Sequence, residues 1–302
     1  MVHILATDGI DKNAILELNK LGHKVTEQFY NPEELGDALK DYDVVVVRSA
    51  TKIREPIIDK AVAHGKLKMV IRAGVGLDNI DVNYAKEKGL DVRNTPNSSS
   101  ASVAELALAH MFCLARFVAI SNVTMRNGEW NKKAYKGIEL SGKTLGLIGF
   151  GRISSQLAIK AHALGMKVIY TNRSGIKDGY PDYEYMKMED LFKHADFISI
   201  HTPATKDGKP LISTSEIKQM KDGVYLINCA RGGIIDEDAL LDALDSGKVA
   251  GAGIDVFSEE PTKNEKLVNH KNVSVTPHIG GSTDEAQERI GEEIVDIIKS
   301  NF

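Results

Sequence analysis

The 302-residue sequence is poor in cysteine and has no excess of basic charge, and both shortages exclude classes of protein. Its two cysteines, Cys113 and Cys229, cannot build a disulfide framework or a zinc site, so we expect no metal and a reducing compartment. The 38 basic and 42 acidic residues give a formal net charge of −4. A nucleic-acid-binding protein normally carries a basic face, so we expect no nucleic-acid partner.

Long hydrophobic runs are missing as well. The N-terminal segment 1–8 has no basic region and no apolar core long enough for a secretory signal. The longest apolar stretch, 106–120, is interrupted by His110 and Arg116 and is short for a helix that crosses a bilayer. We therefore expect a cytoplasmic protein with no membrane partner.

The sequence is instead rich in short β-branched runs that alternate with helical patterns, in two series. This alternation is typical of parallel sheets covered by helices, and it predicts an α/β protein with two doubly wound domains. The first series predicts strands at 2–6, 25–28, 44–48, 69–72 and 92–94. The second predicts strands at 144–149, 167–170, 197–201, 224–228, 251–255 and 273–276.

A turn-rich segment, 95–100, separates the two series and indicates a domain boundary. A helix is predicted after it, at about 101–122, with apolar residues on nearly every side. A helix of this kind is expected to be buried all round, as a crossover between domains or as part of a subunit interface. A last helix is predicted at about 283–299.

A glycine-rich turn, Gly149-Phe150-Gly151, stands between an apolar strand and a helix. In the dinucleotide-binding fingerprint the first glycine makes the tight turn and the second lets the backbone approach the pyrophosphate. The helix that follows, which begins with Arg152 and Ile153, offers free N–H groups and the positive end of its dipole. This placement favours a nucleotide site over an ordinary strand-to-helix turn.

Two positions depart from that fingerprint. Ser154 replaces the third glycine and is able to loosen the packing of helix against strand. Asn172 stands where an acidic residue normally binds the adenosine ribose. An amide there removes the repulsion against a 2′-phosphate, and Arg173 could pair with one, which favours NADP(H). The alternative is that Arg173 is solvated and Asn172 binds the ribose of NAD.

Three residues with catalytic potential follow strands of the second series: Arg231, Glu260 and His278. Ligands of open α/β sheets bind at the carboxyl ends of the strands. A glycine-flanked arginine can hold a carboxylate by two parallel hydrogen bonds, although an isolated loop arginine is more often only solvated. A His–Glu pair can act as a general base, although a lone histidine is more often structural.

Six segments together resemble the D-isomer-specific 2-hydroxyacid dehydrogenases, and most closely the D-3-phosphoglycerate dehydrogenases among them. They are 72–81, 94–97, 149–153, 228–233, 255–261 and 278–283. The resemblance implies a Rossmann-type dinucleotide domain inserted in a flavodoxin-like substrate domain. Its implied boundaries are 1–96 for the first part of the substrate domain, 97–282 for the NAD(P)-binding domain and 283–302 for the returning helix. It also implies a homodimer.

The resemblance implies the roles of the site residues. Arg231 holds the substrate carboxylate, His278 exchanges the hydroxyl proton, and Glu260 stabilises protonated His278. NAD is the default cofactor, with NADP possible because of Asn172-Arg173. The implied cofactor-binding residues are Gly149, Gly151, Arg152, Ile153, Asn172, His201, Thr202, Pro203, Ala230, Asp255 and Gly280. Val75 and Gly76 are implied to offer backbone N–H groups to the substrate carboxylate.

The substrate is expected to be a phosphorylated 2-hydroxy acid, D-3-phosphoglycerate, oxidised in the first step of serine synthesis. Arg48 ends a strand of the first series, and Lys132 matches a position that is basic in the family; both suit phosphate recognition. Glyoxylate or hydroxypyruvate reduction with NADP is the alternative activity, and an NAD(H)-binding corepressor is a more distant one. Because the sequence stops at Phe302, we expect no regulation by an appended serine-binding domain.

Overall fold

The structure is a computed structural model that describes residues 1–63, 65–205 and 207–302. It divides into two compact units, Met1–Ser99 with Gly281–Phe302, and Ser100–Gly280. The second unit is continuous in sequence, and the first is formed by both ends of the chain. The sequence had placed the two boundaries after residue 96 and after residue 282.

The first unit contains a parallel sheet of five strands in the order β2-β1-β3-β4-β5. This is the flavodoxin-like order of doubly wound proteins. The strands are β1 (His3–Ala6), β2 (Lys24–Glu27), β3 (Val44–Val47), β4 (Met69–Arg72) and β5 (Asp91–Asn94). The helices between them are α1 (Lys12–Lys20), α2 (Pro32–Ala38), α3 (Glu55–Val62) and α4 (Val82–Glu87).

Apolar clusters on both faces of this sheet make the strands continuous hydrophobic runs, as in β3, where all four valines are buried. The C-terminal helix, Asp284–Asn301, packs beside α1 and adds Ile290, Ile294 and Ile298 to one cluster. These residues recur at the spacing of one helix face. The C-terminal segment therefore completes the hydrophobic core of the N-terminal unit.

The second unit begins with α5 (Ser100–Arg116) and α6 (Val118–Arg126) and contains a parallel sheet of seven strands. The strand order is β12-β11-β10-β9-β6-β7-β8, which contains the Rossmann order. The strands are β6 (Thr144–Ile148), β7 (Lys167–Thr171), β8 (Glu184–Tyr185), β9 (Phe197–Ile200), β10 (Val224–Asn228), β11 (Val249–Ile254) and β12 (Val273–Val275). The helices are α7 (Arg152–Ala163), α8 (Met188–His194), α9 (Thr214–Gln219), α10 (Glu237–Asp245) and α11 (Glu265–Val268), and α12 (Asp284–Asn301) ends the chain in the first unit.

The predicted fold class is confirmed by these two parallel sheets, and the eleven predicted strands are all present with ends that differ by at most two residues. One short strand, β8, was not predicted. It has two residues, neither of them buried, and pairs only with the edge of β7. Such a strand has too few residues to show an apolar pattern.

The prediction of one continuous helix at 101–122 is wrong, and within the chain only the first half of the region is buried. Burial of the second half in a subunit interface stays a prediction. Phe117 adopts a left-handed conformation with φ of 57° and separates α5 from α6. α5 contributes nine buried residues, whereas α6 contributes none. Apolar composition therefore identified a helical region but not which half of it packs against this unit. Among the described residues no single helix is long and apolar enough to cross a membrane; α5 and α6 together reach that length but meet at a bend of 64°.

Candidate active site

The predicted reaction residues lie at one edge of the second sheet. Because β10, β11 and β12 are parallel, their carboxyl ends face the same way. Arg231 follows β10, Asp255 follows β11, and His278 follows β12. The topology thus gathers three sequence-distant segments where ligands of open α/β sheets bind.

Glu260 and His278 form a direct pair. The Nδ1 atom of His278 lies 2.7 Å from Oε2 of Glu260, so the ring donates its Nδ1 proton to the carboxylate. The other carboxylate oxygen accepts the backbone N–H of Phe257 at 3.0 Å. Both side chains are about one-third exposed, at 34% and 36%, which leaves the pair accessible to a small ligand.

The protonation of Glu260 follows from these contacts. Burial by itself raises the pKa of its carboxyl group, but the hydrogen bonds from His278 and from the Phe257 N–H act in the opposite direction. The positive charge of Arg231 adds to them, as does that of His278 when its ring is protonated, and the pKa of Glu260 is held below its ordinary value. Glu260 is therefore a carboxylate at neutral pH and can stabilise positive charge on the imidazole.

The loop that carries Arg231 is fixed by an asparagine and a glycine. The Asn228 amide donates to the carbonyl of Arg231 at 2.9 Å, and its oxygen accepts the Ala230 N–H at 3.1 Å. A Cβ atom at Gly232 would lie 1.8 Å from the carbonyl oxygen of Phe257. Only glycine allows this approach, which brings the Arg231 loop against the loop that holds Glu260. The Arg231 guanidinium also donates to the carbonyl of Ala230.

A second support lies behind the Glu260 loop. Glu237, in the first turn of α10, accepts the Ser258 N–H at 2.8 Å with Oε1 and the Asn264 amide at 2.8 Å with Oε2. These bonds connect both sides of the segment that carries Glu260. Sequence reasoning missed Glu237, and it included Asn228 and Gly232 only as members of the segment 228–233. The contacts of Gly232 and Glu237 are with loops that are distant in sequence.

Asp255 is buried, with 1% of its surface exposed. Its Oδ1 atom accepts the Thr276 hydroxyl at 2.6 Å and the Ile279 N–H at 2.8 Å, and its Oδ2 atom accepts the Gly280 N–H at 2.9 Å. In this structure both oxygens of Asp255 therefore hold the turn around His278. The neighbouring Cys229 is buried, which raises the pKa of its thiol and makes it a poor nucleophile.

The glycine-rich turn lies at the carboxyl end of β6. Gly149 has φ of 86°, and a Cβ atom there would lie 2.7 Å from the carbonyl oxygen of His201. At Gly151 an added Cβ atom would meet nothing within 4 Å, so the space over the start of α7 is open. Ser154 is fully buried and exchanges hydrogen bonds with the N–H and carbonyl of Gly151. The serine side chain thus closes the first turn of α7 by hydrogen bonds within that turn.

Two buried polar atoms next to this turn have no partner among the described residues: Nδ1 of His201 and Oγ1 of Thr202. The other nitrogen of His201 lies 2.9 Å from the Ser199 hydroxyl. Burial lowers the pKa of His201 to about 4, so its ring is neutral at neutral pH. Together with the open space at Gly151, these atoms fit a polar ligand that lies along the turn, as a dinucleotide would. Pro203, next in the chain, is exposed.

The end of β7 carries the residues predicted to choose between the two cofactors. The Asn172 amide donates to the Ser174 hydroxyl at 2.7 Å, and Arg173 is exposed. The residues at this strand end are Thr171, Asn172 and Arg173, and none of them carries a carboxylate. Arg152 is exposed at the start of α7, and Ile153 is half-buried behind it.

The predicted substrate residues Arg48, Val75 and Gly76 belong to the first unit, and Lys132 belongs to the second. The backbone of Arg48 is fixed on both sides: its N–H donates to Asp8 at 2.7 Å, and its carbonyl accepts the Asn79 amide at 2.7 Å. Val75 and Gly76 lie half-buried after β4. Lys132 is exposed in a 3₁₀ turn, Lys132–Ala134.

The chain is similar in sequence and in fold to several known proteins. A family model described as "D-isomer specific 2-hydroxyacid dehydrogenase, NAD binding domain" matches residues 108–280. A hydroxypyruvate reductase of Thermotoga maritima is 48% identical over 98% of this chain and 96% of its own length. A D-3-phosphoglycerate dehydrogenase of Methanocaldococcus jannaschii is 44% identical over 99% of this chain. This chain spans 57% of the length of that relative.

A solved structure of a D-lactate dehydrogenase from Aquifex aeolicus, complexed with NAD and lactic acid, superimposes with a TM-score of 0.85. It is 33% identical, and the match covers 98% of this chain and 94% of that one. The similarity therefore extends over both units, although the family model itself covers only the second.

Proposed function

The chain belongs to the D-isomer specific 2-hydroxyacid dehydrogenase family and is an NAD(P)-dependent oxidoreductase, and we propose that it oxidises D-3-phosphoglycerate to 3-phosphohydroxypyruvate. The observation that carries the proposed chemistry is the hydrogen bond of 2.7 Å between His278 and Glu260. It leaves the Nε2 atom of His278 to exchange a proton with substrate. In the forward direction the reaction would begin serine synthesis.

His278 takes the proton of the C2 hydroxyl on Nε2 as the C2–H bond breaks and the C2–O bond becomes a carbonyl. The bound nicotinamide supplies the chemistry of accepting the hydride, or of returning it in the reverse direction. The ring of His278 becomes positively charged at this step, and the Glu260 carboxylate stabilises that charge through Nδ1. In the reverse reaction the same nitrogen returns the proton.

Arg231 is proposed to hold the substrate carboxylate and the C2 oxygen. Its guanidinium can form two parallel hydrogen bonds to a carboxylate, which fixes the direction of C2 as well as its position. Asn228 and Gly232 fix the backbone on both sides of Arg231, so the arginine starts from a defined place. Val75 and Gly76 are proposed to offer backbone N–H groups to the same carboxylate.

The dinucleotide is proposed to lie along Gly149, Gly151 and the start of α7, with Arg152 and Ile153 beside it. His201, Thr202 and Pro203 are proposed to line its adenine side, and Ala230, Asp255 and Gly280 its nicotinamide side. The chain supplies the open backbone at Gly151 and the unpartnered atoms of His201 and Thr202. Asn172 and Arg173 at the end of β7 favour NADP(H) over NAD(H), because no carboxylate there repels a 2′-phosphate.

Arg48 and Lys132 are proposed to bind the 3-phosphate. Arg48 is half-buried and Lys132 is exposed, so an anion can reach both cationic side chains. The fixed backbone at Arg48 supports a defined contact from that residue.

A second activity, reduction of hydroxypyruvate, is favoured by the reductase that matches this chain over nearly its whole length. Hydroxypyruvate differs from 3-phosphohydroxypyruvate only by the phosphate. Glyoxylate is a smaller substrate of the same class. The choice among them depends on the phosphate-binding residues and not on the His278–Glu260 pair.

The test is a substrate panel followed by nicotinamide absorbance with both cofactors. We expect the highest kcat/KM for 3-phosphohydroxypyruvate in the reductive direction and for D-3-phosphoglycerate in the oxidative one. A higher kcat/KM for hydroxypyruvate would replace the first activity by the second. Absence of turnover on every 2-hydroxy and 2-oxo acid, with cofactor still bound, would favour a corepressor-like role.

We also propose that the protein is a cytoplasmic homodimer whose second copy covers the apolar surface of α6 and its surroundings. This surface consists of Phe112, Val118, Val123, Met125 and Trp130, whose exposed fractions run from 40% to 77%. All five lie within residues 112–130, and a concentration of exposed apolar side chains typically marks an interface. Light scattering should give twice the mass of 33.0 kDa, and Val123→Glu should give the single mass.

A further inference from the structure

One buried histidine takes no part in the proposed reaction. His110 lies on α5 with 2% of its surface exposed, and α5 packs against β10, β11 and β12. A Cβ atom at Gly253, in β11, would lie 2.6 Å from Cβ of His110. The glycine therefore lets α5 approach closely at residue 110 to the strand that leads to Asp255.

Both nitrogens of this imidazole are engaged. Nδ1 lies 2.9 Å from the Ser274 hydroxyl, and Nε2 lies 3.1 Å from the Thr276 hydroxyl. Ser274 belongs to β12, and Thr276 follows that strand two residues before His278. His110 thus connects a core helix to the segment that carries the proposed proton-transfer residue.

The direction of each hydrogen bond follows from counting protons. The Thr276 hydroxyl has one proton, and it donates that proton to Oδ1 of Asp255 at 2.6 Å. Thr276 must therefore accept from His110, so Nε2 of His110 carries a proton. Burial lowers the pKa of His110, despite the opposing charge of Asp255, so the ring is neutral and Nδ1 accepts from Ser274.

The chain of donors ends at the turn around His278. One carboxylate oxygen of Asp255 accepts hydrogen bonds from the Thr276 hydroxyl and the Ile279 N–H, and the other accepts one from the Gly280 N–H. His278 itself has φ of 55°, a conformation that non-glycine residues seldom adopt. A turn with such a residue needs contacts on both sides to hold it, and the Thr276 and Asp255 bonds supply them.

We propose that His110 is a positioning residue for the proton transfer: the hydrogen bond that it donates to Thr276 fixes, with Asp255, the turn that holds His278. This inference rests on the proposed function of His278. It assigns a role in catalysis to a residue on a core helix that touches neither substrate nor cofactor in the proposed site.

Two substitutions of His110 separate positioning from simple filling of the core. A glutamine amide reaches about as far as Nε2 and can keep the bond to Thr276, whereas an asparagine amide ends near Nδ1 and can keep only the bond to Ser274. We expect His110→Asn to lower kcat by about tenfold or more, because a small misplacement far from the chemistry can cost up to about 10²-fold. His110→Gln should retain most of kcat, and neither variant should change the Kd of the cofactor much.

Thermal unfolding and the partner residue supply the controls. Thr276→Val removes the hydroxyl at nearly constant volume and should lower kcat at least as much as His110→Asn, because it also removes the bond to Asp255. Thr276→Ser keeps the hydroxyl and should retain activity. Ser274→Ala removes the other partner of His110 and should lower Tm without the same loss of kcat. If His110→Asn and His110→Gln lose kcat in proportion to their loss of Tm, His110 only fills the core and the inference is wrong.

The double variant His110→Asn with His278→Gln distinguishes this inference from the proposed function. If His110 acts through His278, the double variant should be no slower than His278→Gln alone. Equal, multiplicative losses would show that His110 acts elsewhere and would overturn the inference. Full activity of His278→Gln by itself would instead overturn the proposed function.

Discussion

Two regions of the second unit are held very differently. At the ends of β10, β11 and β12, Glu260 and His278 bond each other, and Asp255 and Glu237 fix the loops on which they stand. At the end of β7, Asn172 has one side-chain bond to a neighbouring serine, and Arg173 is exposed. We infer that the groups assigned to the reaction are preorganised, while those assigned to cofactor choice can change without disturbing the fold. Substitutions in the two regions should therefore differ in their effect on kcat and kcat/KM, and the largest effect is expected at the ends of β10, β11 and β12.

In the region at the ends of β10, β11 and β12, the largest loss of activity is expected from His278→Gln. The variant should lower kcat far more than it raises KM, because a positioned general base contributes about 10²- to 10⁴-fold. The pH profile of kcat/KM should also lose the limb that reports the general base. Steady-state rates across pH give both readings, and an unchanged profile would mean that another group moves the proton.

Arg231→Ala should come next. Loss of its hold on the developing oxyanion and the carboxylate should cost roughly 2–4 kcal/mol of transition-state stabilisation. Cofactor affinity should be nearly intact, since the arginine is assigned to substrate. Fluorescence titration with NADPH or NADH supplies that control. Wild-type kcat/KM on every 2-hydroxy acid would remove Arg231 from the site.

Glu260→Gln tests the charge within the same pair. The pKa of Glu260 is held low, so the residue is a carboxylate wherever the enzyme is active near neutral pH. Its removal makes protonation of His278 harder, so the acid limb of the oxidative profile should move to lower pH. The plateau should fall by about tenfold, the size of one charge-assisted hydrogen bond. A limb that stays in place would show that the carboxylate does not act on the proton.

The side chains of Arg48 and Lys132 are accessible, since Arg48 is half-buried and Lys132 is exposed. Their joint replacement by alanine should lower kcat/KM for 3-phosphohydroxypyruvate more than for hydroxypyruvate, by about five- to tenfold, because exposed charges contribute modestly. Raising the salt concentration should narrow the same gap in the wild type. Equal losses on both substrates would favour the reductase of unphosphorylated acids.

The smallest effect is expected from Asn172→Asp. A carboxylate at this position can bind the ribose diol of NAD and repel a 2′-phosphate, so the ratio of kcat/KM for NAD(H) over NADP(H) should rise about fivefold. Tm should change little, because Asn172 makes one local bond. A constant ratio would show that Asn172 does not face the ribose.

The fold was largely predictable from the sequence because buried parallel strands are continuous apolar runs, such as Val44–Val47. The two-residue strand β8 was not, since Glu184 and Tyr185 carry no such signal. The burial of α5 but not α6 also escaped prediction. Both halves are apolar, and composition does not reveal the left-handed Phe117 that separates them.

The candidate site was predictable where a short motif carries the chemistry and not where support comes from afar. Glu260 and His278 were expected as a pair, and they lie within a hydrogen bond of each other. Asp255 was expected beside the cofactor, and the structure gives its oxygens to Thr276 and the turn around His278. The signal for His110 was present, one histidine in an apolar helix, but its partners lie 164 and 166 residues away, and only the tertiary structure joins them.

The contact between His110 and Gly253 has a consequence for how such a sequence can change. A methyl group on residue 253 would lie 2.6 Å from the Cβ atom of residue 110, and every amino acid except glycine carries a Cβ atom. Shortening the side chain at position 110 therefore does not make room for alanine at position 253. Substitution at 253 requires α5 to move away from β11. Position 253 is therefore expected to stay glycine in relatives, whichever side chain stands at position 110.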